Sequence, residues 1–368
     1  MFVLVALLDA CGQTAPSSAS PTASAPAATA SPIQLSVQAW LGLGPHGVGN
    51  LGCGGTEIAW TTDSQPIAQT SKNDTIGISN QISPHPKVLA ISRHGGTLTD
   101  AVPISGSWLV NLEYLQQGQS DLAAFWYLEA VNWETGAVVD LAQATSGVGL
   151  TELPWYDAAD GRAVWNQVDA SGKETLRLYD FSTGLSKTLI LPADMSPFEP
   201  AISGSTIVFV DNSTDPGRSQ ENFLGRHGSL RRYDLLTGRI DTLDADPTAF
   251  RPQIDNGQVV WTAIGSSGNT MLAATPVVGG PIVTIASDPV APQTNGSIVV
   301  WYDSSTLHFM AMVFGSGRVV QLQVAALTDV RSVFALCGSE LYFALPPAED
   351  GGNSTIRRVD LSLVTASI

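Results

Sequence analysis

The feature that most restricts this chain is a short motif that keeps returning: a glycine in a turn, one or a few residues, then an aliphatic pair closing on an aromatic. Clear copies are Gly204-Ser-Thr-Ile-Val-Phe209, Gly257-Gln-Val-Val-Trp261 and Gly296-Ser-Ile-Val-Val-Trp301, with weaker ones from Gly55, Gly106, Gly161 and Gly338. The seven glycines are spaced by 51, 55, 43, 53, 39 and 42 residues. An aliphatic pair after a turn reads as a strand entering a core, and a unit of this length cannot bury its own faces, so neighbours must cover one another.

A second element follows most copies, in Asn132-Trp-Glu-Thr-Gly136, Asp180-Phe-Ser-Thr-Gly184 and Asp234-Leu-Leu-Thr-Gly238, with degraded forms around Gly279-Gly280 and Gly315-Ser-Gly317. The Asx side chain can accept from the turn backbone while Gly takes the positive φ of a tight hairpin. Each unit then holds four short strands, and radially repeated four-stranded meanders make the blades of a propeller. Period-3.6 stripes are missing, so a helical solenoid is excluded. The expectation is an all-β β-propeller over residues 33–368 with seven four-stranded blades, or six as the alternative.

These repeats resemble the TolB-type propeller repeat of bacterial and archaeal surface proteins, best over residues 197–244, from Pro197-Phe-Glu-Pro200 through Val208-Phe209 to Arg232-Tyr-Asp-Leu-Leu-Thr-Gly238. The resemblance spans roughly residues 50–365 and implies sheets around a central channel that bind proteins or small molecules. It carries over no catalytic set.

Residues 2–8 are apolar and end in Leu8-Asp9-Ala10-Cys11, which resembles a bacterial lipobox. The run is far shorter than the ~20 residues of a spanning helix. Residues 1–11 therefore read as a signal-peptide remnant with Cys11 as the lipidated residue, although Asp9 and the lack of a preceding Lys or Arg depart from that pattern. Residues 12–32, almost wholly Ala, Ser, Thr and Pro, hold too little apolar bulk to offset ordering entropy and read as a disordered tether. Together they predict a protein lipid-anchored in the cell envelope, outside the cytoplasmic membrane. A formal charge of −16 excludes nucleic acid as a partner.

In a meander the first-to-second and third-to-fourth turns share one face, and the second-to-third loops and crossovers share the other. Irregular insertions at 61–74, 114–122, 166–174, 211–228 and 346–353 fall on the second face, where recognition is expected. The longest, 211–228, supplies Asp211, Arg218, Arg226 and His227 as ligand-binding candidates. Glu152, Glu199 and Arg251 precede Leu153-Pro154, Pro200 and Pro252 in consecutive repeats and read as residues of the channel mouth, either gripping a polar ligand or pairing between blades. Trp155, Tyr156, Phe198 and Phe250 either stack on a ligand ring or pack between sheets.

With Cys11 acylated, Cys53 and Cys337 remain, just before the turn glycines of the first and last repeats. A closed ring makes those repeats neighbours, which predicts a disulfide or else two buried thiols. The five histidines are scattered, with no zinc-spaced cysteine pair, nucleophile elbow, phosphate loop or dinucleotide fingerprint, so no cofactor is expected. Two functions stand: a binding or protein-interaction module for a protein, peptide or glycan ligand, and a carbohydrate-active enzyme (glycosidase or lyase) using carboxylates or a divalent metal at the channel. Two carboxyls in a deep pocket, or three His and acidic side chains converging on a point, would mark the second.

Overall fold

A computed structural model describes residues 30–44, 46–62, 73–98, 102–118, 120, 122–145, 148–149, 152–169, 171–215, 226–324, 333–345 and 353–366. Its strands form antiparallel meanders in chain order. The first runs through Val48–Gly54, Glu57–Thr62, Thr75–Asn80 and Lys87–Ile91. The second is built on Trp108–Gln116 and Leu122–Asn132, with short inner strands Thr97–Leu98 and Ile104–Ser105 and the outer strand Val138–Ala144. The third comprises Tyr156–Ala159, Arg162–Val168, Glu174–Asp180 and Leu185–Thr188. The next two share one sheet because the 16-residue strand Ile240–Asp255 is the outer strand of the fourth and the inner strand of the fifth. The fourth begins at Pro197–Ser203 and the fifth ends at Val283–Ser287. The sixth runs from Pro289–Thr294 to Arg318–Gln323.

The last sheet takes three strands from the carboxy-terminal end, Phe334–Cys337, Glu340–Leu345 and Ser354–Asp360, and its outer strand, Val37–Gly44, from the amino-terminal end. Just before it, Ala30–Gln34 adds in parallel to the edge of the sixth meander. Residues 30–32, read above as the end of a tether, are therefore strand. Cys11 and residues 12–29 lie outside the described residues.

Apolar residues collect between the sheets. One cluster lies at each boundary between successive meanders, including one that joins Trp40, Tyr342 and Ile356 of the last to Leu51, Ile58 and Trp60 of the first. Each sheet thus buries both faces against neighbours, which is the radial solution the repeat demands.

All seven turn glycines stand between the first and second strands of their units at positive φ, from 57° at Gly204 and Gly338 to 79° at Gly161 and Gly257. The Asx turns form as the spacing predicts. Asp180 Oδ1 accepts from the N–H groups of Ser182 and Thr183 at 2.9 and 3.2 Å, and Asp234 Oδ1 from Leu236 and Thr237 at 2.9 and 3.0 Å.

The inner strands are tied side chain to main chain from one unit to the next. Asp157 accepts from the Ile202 N–H at 2.9 Å. Gln253 donates to the Pro292 carbonyl at 2.7 Å and accepts from the Thr294 N–H at 3.3 Å. Gln293 repeats this on the Phe334 carbonyl and the Leu336 N–H, both at 2.8 Å. Between the first two units glycines replace the tie, because a Cβ at Gly52 would lie 2.3 Å from the Val102 carbonyl oxygen. Between the last and the first, Cys53 and Cys337 form a disulfide with their Cα atoms 5.7 Å apart.

Candidate functional site

Several of the residues singled out from the sequence meet where the third, fourth and fifth meanders open toward the second-to-third loops. Phe198 and Glu199 lie on the first strand of the fourth unit, and both are buried. Arg226, at the return of the 211–228 insertion, donates to Glu174 Oε1 at 2.5 Å and lies over the Phe198 ring at 4.1 Å from its centroid. The Ser196 hydroxyl donates to the other oxygen of Glu174. Trp155 meets the Phe198 ring edge-on at 5.7 Å. A guanidinium held between a carboxylate and an aromatic face is fixed in direction and keeps little freedom to follow a ligand.

The base of the insertion is locked in the same way. Asp211, only 2% exposed, caps the 3-10 turn Asn212–Thr214 by accepting from Ser213 and also accepts from the Ser196 N–H at 3.2 Å. Its other oxygen faces the Arg231 guanidinium at 3.3 Å. His227 donates through Nδ1 to the Pro247 carbonyl at 2.5 Å, and the Asn212 amide donates to the His227 carbonyl at 2.8 Å. Asp211, Arg226 and His227 therefore anchor the loop, while Arg218 lies outside the described residues.

Glu199 and Arg251 are linked across the fourth and fifth units, since a Glu199 oxygen accepts the Arg251 N–H. Both sit at positive φ, 47° and 49°, immediately before Pro200 and Pro252. Ala291 before Pro292 repeats this at 47°. Each marks a shift of register in its inner strand, so the device is a bulge carried by three consecutive units. Burial pushes the Glu199 carboxyl up to about 7 against the pull of the Arg251 N–H and of the Arg251 and Arg226 guanidinium groups. The Arg251 side chain is exposed, and among the described residues its guanidinium forms no ion pair.

Glu152 does not belong with these two. It is exposed, nine residues ahead of Gly161, whereas Glu199 stands five ahead of Gly204. Counted back from the strand pairs that flank the turns, Ala159–Arg162 and Ser203–Thr206, the residue matching Glu199 is Trp155, so aligning the prolines shifted the third unit out of register. Tyr156 is half-buried and its hydroxyl accepts the Leu112 N–H at 3.2 Å, a packing role between the second and third units.

A second convergence was not legible in the sequence. Glu113 and Glu129 project from the two long strands of the second meander, and His94 comes down on them from the preceding crossover. Glu113 accepts from the Ser92 hydroxyl at 2.7 Å and from the Arg93, His94 and Gly96 N–H groups at 2.9, 3.0 and 2.6 Å. Arg93 Nη1 reaches Glu129 Oε1 at 2.6 Å, with His94 Nε2 3.3 Å from the same oxygen and its ring stacked on Tyr127 at 3.7 Å. Burial pushes the Glu129 carboxyl up, against the His94 hydrogen bond and the Arg93 charge. The signal available was acidic residues inside otherwise apolar strands, Val110-Asn-Leu-Glu113 and Leu128-Glu-Ala-Val131.

No family model matches this chain, and no curated protein sequence does. Solved structures do resemble it. The β-propeller domain of the Trilobed protease from Pyrococcus furiosus, described as having an open velcro topology, aligns with a TM-score of 0.55 at 10% identity over 81% of this chain and 91% of that one. A chain of a Mitotic Checkpoint Complex aligns at 0.51 and 12% identity over 98% and 99%. TolB from Acinetobacter baumannii aligns at 0.43 and 13% identity over 80% of this chain, which spans 61% of the TolB chain's length. At such identities the likeness lies in the architecture, and the chain is a β-propeller.

Proposed function

We propose that this protein is a seven-bladed, lipid-anchored propeller of the cell envelope that binds a polypeptide partner through an acidic side chain at the mouth formed by the third to fifth blades. The exposed guanidinium of Arg251, without an ion-pair partner among the described residues while the arginines around it are paired, carries the reading. The opposite, turn-side end of the same blades holds Asp157, Asp160 and Asp255, where burial and then the Asp255 charge push the Asp157 carboxyl up, and burial and then the Asp160 charge push up that of Asp255, so an anionic group is disfavoured there. Half-buried Trp155 offers a flat apolar wall beside it.

A thermal-shift panel of acidic peptides, neutral peptides and neutral glycans tests the binding reading. Acidic peptides should raise the melting temperature of the full chain, since a ligand held only by the native form stabilises it. Arg251→Ala should abolish that rise and leave the ligand-free melting temperature unchanged. A response to glycans alone, or to acidic peptides equally in the variant, would refute it. Metabolic labelling with a fatty acid tests the anchor: Cys11→Ser should lose both label and membrane association.

A further inference from the structure

Two carboxylates buried side by side need nearby positive charge, and here the supply is loose. Glu113 and Glu129 are 1% and 2% exposed, yet among the described residues the one permanent cation paired with either, the Arg93 guanidinium on Glu129, reaches in from a side chain 46% exposed. Directly across the strand pair from Glu129 and two residues before Glu113 stands Asn111. Alternation puts all three side chains on one face, the face that turns Leu109 toward the first meander. Asn111 is 2% exposed, and among the described residues its Oδ1 has no hydrogen-bond partner. A buried amide oxygen left unpaired is costly, and this one shares a sheet face with both carboxylates, directly opposite Glu129.

We propose that His94, Glu113, Glu129 and Asn111 form a binding site for one divalent transition-metal ion of the zinc or manganese type, located between the first and second blades. The candidate ligand atoms of His94, Glu113 and Glu129 already lie within 4.8 Å of one another. The 3.3 Å from His94 Nε2 to Glu129 Oε1 matches the edge of a tetrahedron whose metal–ligand bonds are about 2.0–2.1 Å. An imidazole with two carboxylates favours zinc or manganese over calcium or magnesium, which prefer all-oxygen sets. The ion neutralises both carboxylates, gives Asn111 Oδ1 a partner and displaces Arg93 into solvent. The main-chain N–H groups of Arg93, His94 and Gly96 hold the Glu113 carboxylate in place, and the ion takes the lone pair now given to the Ser92 hydroxyl, which rotates away.

Isothermal titration of the EDTA-treated full chain with Zn²⁺, Mn²⁺ and Ca²⁺ tests this. Zn²⁺ or Mn²⁺ should bind one per chain. His94→Ala should weaken binding at least tenfold, and His85→Ala, on an exposed histidine elsewhere, should leave it unchanged. Arg93→Ala should tighten binding severalfold because it removes the competing cation, whereas a cluster that only locks the crossover would gain nothing from that change. A thermal melt of each variant separates lost ligation from lost fold. Absence of Zn²⁺ and Mn²⁺ binding, binding of Ca²⁺ alone, an unchanged affinity in His94→Ala or a weakened one in Arg93→Ala would each overturn the proposal.

Discussion

The boundary between the fourth and fifth blades and that between the last and the first solve the same problem with different means. At the former the chain runs straight through: strand Ile240–Asp255 belongs to both blades, and one carboxylate–amide bond, Glu199 to Arg251, joins the inner strands. At the latter the two halves come from opposite ends of the sequence. There Trp40 packs edge-on against Trp60 and Tyr342 at 6.4 and 5.3 Å, donates to the Gln81 carbonyl at 2.9 Å, and the Cys53–Cys337 disulfide spans 284 residues. Where chain continuity already holds neighbours together, an apolar cluster around Trp261 and a few hydrogen bonds complete the boundary. Where it does not, a covalent bond is added.

Breaking the covalent part should give the largest effect. Cys53→Ser removes a cross-link closing a loop of 284 residues, which in the chain-entropy picture constrains the unfolded chain by about 5–6 kcal/mol. Urea melts with and without reductant should show that loss in the variant, and reductant should affect only the wild type. An intermediate effect of opposite sign is expected at the other boundary. Because the folded Glu199 carboxyl lies near 7 rather than 4.5, the native state holds its proton more tightly than the unfolded chain between those values, and stability falls as pH rises through that window. Glu199→Gln keeps an acceptor for the Arg251 N–H without the charge. It should be more stable than wild type by up to about 3 kcal/mol above pH 7, with the difference vanishing below pH 4.5. A pH-independent difference would contradict the assignment. The smallest change, Gln293→Ala, strips one inter-blade tie of both its bonds and should cost about 1–3 kcal/mol, measurable as loss of amide protection at Leu336.

The architecture was readable because it rests on local chemistry repeated many times. Each turn glycine needs positive φ for itself, and each Asp or Asn in a Thr-Gly turn serves its own backbone, so the pattern is written within a few residues. The strand shared by two blades was not readable, since nothing in Leu243-Asp-Ala-Asp-Pro-Thr-Ala249 marks continuity rather than a crossover. Nor was the edge strand Ala30–Gln34, whose composition argues for solvent and whose pairing comes from the sixth blade. At the site, the 211–228 insertion stood out in the sequence as charged, but Asp211, Arg226 and His227 turn inward and hold the loop. The sets that matter combine residues 52 apart, as in Glu199 and Arg251, or drawn from a crossover and two strands, as in His94, Glu113 and Glu129. Such meetings follow from ring geometry and leave no linear spacing.

Strand Val37–Gly44 hydrogen-bonds to Ser354–Asp360, which a ribosome adds only after the strands of the first six meanders. The early strand must therefore wait, unpaired, while those meanders are made. Until then its Trp40 face stays wet, and a nascent chain cut short before residue 354 carries an open edge that quality-control proteases can recognise.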